Sequence, residues 1–499
     1  MRNKNPYKNN TKRMELYGNY AKNLKYLKEK LKSDDVNFLP VKTKKVTGCL
    51  IFIKDLTDKK AIGELVLRPI TQMDYNPEVK SIKDAFLSPE KKELTDIDEL
   101  INEVVTGNAC LLVKNEKTAF SFGLKSFEKR SITEPPTSTV IKGPREGFVE
   151  SLPVNISLMR RRIKSPDLKI ETLSVGKYSQ TDVSLCYIDS IADKDLVNKI
   201  KEKLQRIDID AVLDSSYIAK MLGEHKTSFF KQLGNTEKPD ILTAKILEGR
   251  VAIMVDGSPI VLTVPYLLAE DFQSPSDYYT SPYTATLSRI IRLLSVIISV
   301  FLPAYFVSAE LFHLQLIPLS FLLTIVNSIK GIPLSPSLEM FFTLLIFEIL
   351  NEASVRMPKY VGMVVSIVGG LVLGETAVTA GIISAPTLMI IALSGICLYT
   401  VPELEQIFSI VRLIFLTIAG SVGGFGLISA TVIFIIYLVS FENYDAPLLA
   451  PFSPLIARDL KDGLYKGFLT ENRFRPLSIN QHNKHRLKIL PMKKKVKEK

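Results

Sequence analysis

The feature that most constrains the fold of this chain is an apolar stretch from Ile290 to Pro451 that carries nine acidic and five basic residues. The whole chain has 499 residues and a net charge of +12, so the positive charge lies outside this stretch. A helix of about 20 apolar residues is long enough to cross a bilayer. Because burying a charged side chain in a bilayer costs free energy, each charged residue in such a helix is a candidate for a functional role. The pattern predicts a membrane domain that handles cations, attached to a basic part that faces the cytoplasm.

Uncharged runs divide the apolar stretch into unequal pieces, which are Leu293–Ala309, Leu311–Ile329, Tyr360–Gly374, Thr376–Pro402 and Leu413–Phe441. Both the N-terminal part and the C-terminal tail are rich in bases, and the polar N-terminus predicts no cleavable signal peptide. We therefore expect both ends of the chain in the cytoplasm. Two ends on one side require an even number of crossings, which gives four or six.

Alternating strand-like and helix-like segments before residue 286 predict a soluble α/β region with two subdomains. The clearest are strands at Leu168–Val175 and Asp182–Ile188 and a helix at Asp195–Arg206. The Asp256-Gly257 pair between two apolar runs predicts a hairpin with a two-residue turn. The expected divisions are a basic, partly disordered arm (1–45), α/β subdomain 1 (46–135), α/β subdomain 2 (136–285), a helical transmembrane domain with four to six membrane segments (286–451) and a basic cytoplasmic tail (452–499).

Three charged residues at helical spacing form the sharpest candidate site. Glu348, Glu352 and Arg356 are four residues apart, so a helix would place them on one polar stripe. One interpretation is an ion path along Glu348 and Glu352, with Arg356 as an ion-pair or gating residue. The other interpretation is an ion-pair lock between helices. Glu375 is a weaker ion-path candidate, and the remaining acids are assigned to loops or interfaces: Glu310, Glu339, Glu403, Glu405, Glu442 and Asp445.

Two pairs of glycines have the GxxxG spacing that allows two helices to approach closely in lipid. They are Gly370 with Gly374 and Gly420 with Gly424. The same stretches are compatible with a buried re-entrant turn. We favour helix packing at all four positions.

Three consecutive arginines, Arg160, Arg161 and Arg162, end a predicted helix from Phe148 to Ile163. Positive charge at this end complements the helix dipole. The alternative role is contact with another subunit or domain, or with anionic lipid headgroups. We favour the dipole interpretation.

The sequence carries no pattern typical of an enzyme or of a metal site. The four cysteines lie far apart, and neither a phosphate-binding glycine loop nor a nucleophile elbow is present. We expect no catalytic residue, no cofactor and no metal. Bases that flank apolar spans are typical of the positive-inside rule, which we favour over nucleic-acid binding.

A series of segments spread over the chain is similar to a known family. The most characteristic are Gly143–Leu152 and Asn155–Ile163. The others are Val175–Ser179, Asn235–Asp240, Leu247–Gly257, Gln273–Tyr279, Phe347–Pro358, Gly369–Ala385 and Pro451–Leu455. Together they resemble the A subunit of bacterial spore germinant receptors, the GerA family, over about residues 130–470.

The resemblance implies a subunit of a nutrient-responsive germinant receptor in the inner membrane of the endospore. It implies two protein partners, a transporter-like B subunit and a lipoprotein C subunit, with membrane lipid around the helices. It also implies that the chain oligomerises into a ligand-gated, cation-conducting pore that starts germination, with a pentamer as a candidate assembly. Two alternatives remain open: a non-conducting membrane signalling scaffold, and the related accessory membrane protein of the dipicolinic-acid release machinery.

Overall fold

The computed structural model describes residues 16, 19–73, 86, 90–114, 116–126, 142–226, 228–358, 374–468 and 472–486. The chain divides into two compact units. The α/β unit consists of Met1–Lys226, Gln232–Tyr266 and Arg473–Lys499, and the helical unit consists of Thr227–Lys231 and Leu267–Asn472. The backbone therefore passes between the units four times, twice at the ends of the short segment Thr227–Lys231.

The first sheet of the α/β unit consists of β1 (Val36–Lys42), β2 (Thr47–Ile53), β3 (Lys91–Leu94), β4 (Ala109–Val113) and β5 (Ala119–Phe122). Its strands are antiparallel, in the order β1-β2-β4-β5-β3. The helical segments beside it are α1 (Tyr20–Lys30), α2 (Lys59–Ile62), a π-helical turn (Gly63–Leu67), α3 (Arg68–Gln72) and α4 (Ile97–Val105). Ile51 shares a core with α1 and α4, whereas Phe52 shares another with α2 and α3. Neighbouring residues of a strand face opposite sides. Both sides of β2 are covered, and it is therefore apolar from Cys49 to Ile53.

The second sheet consists of β6 (Leu168–Val175), β7 (Thr181–Ile188), β8 (Gly234–Thr236), β9 (Val251–Val255) and β10 (Val261–Val264). These strands are also antiparallel, in the order β6-β7-β9-β10-β8. The helices around it are α5 (Leu152–Arg162), α6 (Lys194–Gln205), α7 (Ser215–Leu222) and α8 (Pro239–Glu248). Met159 of α5 and Ile246 of α8 share a core with Ile170 of β6. Two sheets with helices confirm the predicted fold class for the soluble region.

Two local predictions for the α/β unit differ from the structure. Strand β1 lies inside the segment predicted as a basic arm, and it pairs with β2 over its whole length. The hairpin between β9 and β10 is closed by residues 256–260 rather than by a two-residue turn. Pro259 cannot donate a ladder hydrogen bond, which delays the start of β10.

Residues 473–486 of the predicted tail pack on the α/β unit. Ile479 is buried, and the Nε atom of Arg475 donates to the carbonyl of Leu247 at 2.7 Å. The backbone N–H of His482 donates to the carbonyl of Ile191 at 3.0 Å. The chain therefore leaves the α/β unit after Tyr266 and returns to the same unit at Arg473.

The helical unit contains α9 (Pro282–Phe312), α10 (Leu319–Ile329), α11 (Pro336–Arg356), a helical turn at residues 374–379, α12 (Ala385–Leu398), α13 (Glu405–Val422), α14 (Gly424–Ser440) and α15 (Leu460–Gly463). A small ladder joins β11 (Glu442–Asn443) to β12 (Ala446–Pro447). Among the described residues, two helical segments are long and apolar enough to cross a membrane, Pro282–Phe312 and Pro402–Val422. The helical part of the predicted fold class is confirmed, and the length and composition of these two segments are compatible with membrane association.

Two of the predicted uninterrupted runs are broken in the structure. The run Thr376–Pro402 is interrupted at residues 380–384, where Ser384 caps the start of α12. The run Leu413–Phe441 is interrupted at Gly423, whose φ of +74° ends α13. An added Cβ at Gly423 would lie 2.7 Å from the Phe312 ring, so this position requires glycine for its space and for its backbone conformation. Apolar composition alone does not report such turns, because helix ends are made by caps and backbone conformation.

Candidate functional site

The candidate site is a chain of polar groups that links four helices of the helical unit. Arg412 of α13 donates one hydrogen bond to Glu348 of α11 and another, at 2.7 Å, to Ser394 Oγ of α12. Ser394 Oγ in turn donates to the backbone carbonyl of Ser299 in α9 at 2.8 Å. Each of these helices therefore contributes one polar group to a single network.

The network depends on a buried arginine. The side chain of Arg412 is 1% exposed, whereas that of Glu348 is 22% exposed. The Nε of Arg412 and the Oγ of Ser299 have no hydrogen-bond partner among the described residues. An uncompensated buried charge is strongly destabilising, so the Glu348 carboxylate is what allows Arg412 to remain inside the helices.

Sequence reasoning missed Arg412, although a signal was present. No acidic residue lies three or four positions before or after it, so it cannot form an ion pair on its own helix. A lone base in an apolar helix requires an acid from a neighbouring helix. That requirement points to the acids of α11.

The predicted stripe on α11 is divided by its surroundings. Glu352 and Arg356 form an ion pair at 2.5 Å, and their side chains are 64% and 77% exposed. Asn351, beside them, donates a hydrogen bond of 2.6 Å to Glu405. Glu348 thus lies against α13, while Glu352 and Arg356 lie on the outer surface of the single chain.

Glu375, the third ion-path candidate, is exposed and forms no ion pair with any residue that the structure describes. It borders a shallow pocket whose other lining residues are apolar or small, such as Val378 and Met389. The structure does not bring Glu375 to the network around Arg412.

Glu339, which the sequence analysis assigns to a loop or an interface, is a buried residue in the first turn of α11. Its Oε1 accepts hydrogen bonds from the backbone N–H of Ser384 at 2.7 Å and from Ser384 Oγ at 2.8 Å. Ser384 caps α12, and a helix N-terminus stabilises negative charge. Of the two predicted alternatives, the loop is excluded, and Glu339 lies at the interface between α11 and the start of α12. Spacing alone did not reveal it, because the partner comes from a distant part of the chain.

The three arginines of α5 have different surroundings. Arg160 forms a bidentate pair with Asp35, with distances of 2.7 Å and 2.8 Å, and both side chains are 2% exposed. Asp35 directly precedes β1, so this pair joins the two sheets of the α/β unit. Arg161 and Arg162 both pair with Glu146, at 3.3 Å and 2.8 Å.

A charged cleft of about 660 Å³ lies in the α/β unit. Its walls come from α1 and the segment after it, from β6 and β7 of the second sheet, and from α6, and they include Lys30, Asp34, Glu171, Lys194 and Lys201. Lys201 of α6 pairs with Glu171 of β6 at 2.5 Å, so this ion pair joins two walls of the cleft. Within the described part of the chain, no group of three or more His, Cys, Asp or Glu side chains is arranged to hold a metal ion.

The family model described as Bacillus/Clostridium GerA spore germination protein matches residues 24–478. The chain belongs to the GerA family. Spore germination protein KA of Bacillus subtilis (strain 168) is 36% identical over 444 residues, which are 88% of this chain and 81% of that protein. Spore germination protein GerLA of Bacillus cereus is 33% identical over 462 residues, 90% of this chain and 94% of that protein.

Among solved structures, the N-terminal domain of the A subunit of the Bacillus megaterium spore germinant receptor GerK3 is similar to this GerA-family chain. The sequence identity is 27% and the TM-score is 0.40, with 52% of this chain and 98% of that chain covered.

The glycines predicted for helix packing in this GerA-family chain differ in how close the neighbouring side chains lie to them. An added Cβ at Gly420 would lie 2.8 Å from the Cβ of Ser337, and one at Gly424 would lie 3.0 Å from the ring of His313. At Gly374 the corresponding distance, to the side chain of Leu388, is 3.3 Å. Gly370 lies outside the described residues.

Asp277 is the centre of a second ion network, located just before α9. Its carboxylate accepts hydrogen bonds from Arg292 at 2.8 Å and from Arg289 at 3.1 Å. Arg289 also bonds to Asp462, which follows the last long helix. Burial alone would raise the pKa of Asp277, but the hydrogen bonds and charge of Arg292 outweigh it and hold the pKa below its ordinary value.

This lowered pKa predicts a pH-dependent stability. Asp277 stabilises the fold above its unfolded pKa of about 4, and the contribution is lost as the pH falls through the folded pKa. Thermal unfolding of the detergent-solubilised chain should show an Asp277→Asn protein less stable than the wild type at pH 7. The difference should shrink below pH about 4. Asp208→Asn, at an exposed carboxylate, is the control, and an Asp277→Asn difference that stays constant down to pH 3 would contradict the prediction.

Proposed function

We propose that this chain is the A subunit of a nutrient-responsive spore germinant receptor, located in the inner membrane of the endospore. Membership of the GerA family over residues 24–478 and the names of the spore germination relatives support this role. The proposed partners are a transporter-like B subunit and a lipoprotein C subunit. Two helical segments of membrane-crossing length support the location.

The proposed topology is multi-pass, with both termini in the cytoplasm. The chain enters the helical unit after Tyr266 and returns to the same α/β unit at Arg473. Because one folded unit cannot lie on both sides of a bilayer, the two ends of the helical unit share one side. This supports an even number of crossings, four or six.

The proposed activity is a ligand-gated, cation-conducting pore formed by several copies of the chain, with a pentamer as the candidate assembly. The observation that carries it is the exposed Glu352–Arg356 pair on α11, a helix whose other exposed residues are largely apolar. Charged groups on such a helix require water or another protein surface, and lipid provides neither. A ring of chains with α11 lining a water-filled path would satisfy both residues, and Glu352 would attract cations.

A Glu352→Gln protein, present at wild-type level in spores, is expected to release monovalent cations more slowly during germination, because a ring of negative charges is removed. The measurement is ion release after addition of a mixture of amino acids and sugars. Glu202→Gln is a matched control, because Glu202 and Arg206 form an exposed pair with the same spacing in the α/β unit, with 64% and 79% exposure. Glu348→Gln tests the second candidate, and unchanged release in both Glu348→Gln and Glu352→Gln spores would refute the pore-lining role.

The second candidate function is a non-conducting signalling scaffold, and the hydrogen-bonded ion pair between Glu348 and Arg412 favours it. Such a pair locks two helices together without any ion passing. Exchanging the two residues, in a Glu348→Arg and Arg412→Glu double variant, separates the functions. If either single change abolishes germination and the double variant restores it, the result supports a lock. If the double variant folds normally but releases no ions, the result supports an ion path through Glu348.

A further inference from the structure

Residues 228–231, called the clip here, belong to the helical unit although the chain on both sides belongs to the α/β unit. The Oγ of Ser228 accepts a hydrogen bond from the N–H of Phe230 at 3.1 Å and donates one to the carbonyl of Phe230 at 2.8 Å. Such a local side-chain turn holds the clip in one shape.

Phe230 is the apolar anchor of the clip. Its ring lies 6.2 Å from that of Phe408 on α13, and 6.3 Å and 6.4 Å from those of Phe434 and Tyr437 on α14. Phe230 is 2% exposed, whereas its neighbour Phe229 is 60% exposed. Aromatic rings in this arrangement contribute both burial and ring contacts. Phe229 adds a weaker contact: its backbone N–H donates to the Tyr437 hydroxyl at 3.2 Å, and its ring lies 6.2 Å from the Tyr437 ring. Phe230 is therefore the buried apolar attachment of the clip to α13 and α14.

Lys231 is the charged anchor of the clip. Its Nζ lies 2.8 Å from Asp271 and 3.0 Å from Glu403, which is in the turn before α13. Burial alone would lower the pKa of Lys231, but the charges of Asp271 and Glu403 raise it above the ordinary value. Lys231 thus remains charged and fixes the clip at the start of α13.

The opposite end of the clip is fixed to the α/β unit. The Oε1 of Gln232 accepts hydrogen bonds from the backbone N–H groups of Glu224 at 2.6 Å and His225 at 2.9 Å. The carboxylate of Glu224 pairs with Lys199 and Lys203 of α6 at 2.8 Å and 3.0 Å. Helix α6 is also the helix that contributes Lys194 and Lys201 to the charged cleft.

The clip contacts α13 and α14 at the end opposite their connecting glycine. Gly423 joins the two helices, while Phe408 lies in the first turn of α13 and Tyr437 in the last turn of α14. Phe408 precedes Arg412 by one helical turn, so a displacement of Phe408 also displaces Arg412. Helices α13 and α14 can therefore pivot at Gly423, while the clip holds them at their other ends.

We propose that the clip couples the α/β unit to the Arg412–Glu348 pair. A shift of α6, such as one caused by a change in the ion pairs of the charged cleft, moves Glu224 and Gln232. The clip then moves the start of α13, and the contacts of Arg412 with Glu348 change. This inference rests on the proposed function for its biological consequence, and on the contacts above for its mechanism.

The first test measures germination in spores that carry Phe230→Ala, Phe230→Leu or Phe229→Ala at wild-type protein level. Loss of coupling is expected to slow the response to a mixture of amino acids and sugars by about 5- to 150-fold in Phe230→Ala spores. Phe230→Leu, which keeps much of the apolar volume, should be intermediate. Phe229→Ala is the matched comparison: it removes an aromatic ring that is 60% exposed and contacts only Tyr437 among the rings of α13 and α14, so it should slow the response much less than Phe230→Ala. A wild-type response by Phe230→Ala spores would overturn the proposal.

The second test does not depend on germination. Amide hydrogen exchange of α13 is measured in the purified full-length chain for the wild type, Gln232→Ala, Phe230→Ala and the double variant. Each single change should accelerate exchange at the start of α13, and the double variant should show no further acceleration, because both changes break the same connection. Independent, additive effects would overturn the proposal.

The two tests separate the failure of the clip from the failure of the proposed function. If spores that lack the whole chain respond normally to the mixture, the receptor role fails, and the exchange cycle still decides whether the clip couples the units. If those spores do not respond but Phe230→Ala spores do, the receptor role stands and the clip is rejected.

Discussion

An Arg412→Met protein is expected to lose about 1–3 kcal/mol of stability, because the Glu348 carboxylate, which is only 22% exposed, loses its charged hydrogen-bond partner. Arg412 is 1% exposed, and it is the group that joins Glu348 of α11 to Ser394 of α12. Its loss leaves the Glu348 carboxylate without its ion-pair partner. The measurement is the amount of folded chain in the membrane, together with its thermal unfolding in detergent.

Two variants show whether the effect comes from the ion pair. Arg356→Met removes an exposed arginine from α11, where such pairs contribute only about 0–1 kcal/mol, and it should leave the chain near wild-type stability. A double variant, Arg412→Met with Glu348→Gln, removes both charges and should recover much of the loss. If Arg412→Met is as stable as Arg356→Met, the buried pair does not hold the helices together.

An Arg160→Ala protein is expected to lose about 3–5 kcal/mol of stability in the α/β unit. Arg160 connects α5 to Asp35 and also donates a hydrogen bond of 3.0 Å to Ser33 Oγ, so its removal separates the two sheets at a buried position. The measurement is thermal unfolding of the purified chain, followed by a signal that comes from the α/β unit.

Arg161→Ala is the matched control, because this neighbouring arginine is 37% exposed and pairs with Glu146 at 3.3 Å. It should change stability by less than about 1 kcal/mol. A double-mutant cycle with Asp35→Asn measures the coupling directly. A coupling energy near zero would show that the Arg160–Asp35 pair does not join the sheets.

Local sequence patterns were sufficient for much of the α/β unit. Strand β6 was predicted with the bounds Leu168–Val175 that the structure has. The predicted bounds of α6 differ from the observed ones by one residue at each end. Strand alternation and helix periodicity are properties of neighbouring residues, so a single sequence contains them. Strand β1 was missed because it lies next to a Lys-rich segment, and its apolar residues are recognisable only with β2 beside it.

The helical unit was less predictable in its details. Its apolar composition was evident, but the break at Gly423 and the one before α12 were not, since a run of apolar residues has no marker for a turn that is stabilised by its neighbours. The acids of the unit were recognised, yet their environments were not. Glu339 was assigned to a loop or an interface, and the structure places it in α11, buried against the cap of α12.

The sequence by itself determined the fold class, the family and the set of charged residues in the apolar stretch, because composition, periodicity and motif order are encoded locally. The tertiary structure decided which charges meet. Glu348 and Arg412 are 64 positions apart, and Arg160 and Asp35 are 125 apart. Attraction between charges depends on distance in space and on burial, and neither follows from distance along the chain. For this reason the stripe on α11 became two sites, the pair of Glu348 with the buried Arg412 and the exposed pair of Glu352 with Arg356.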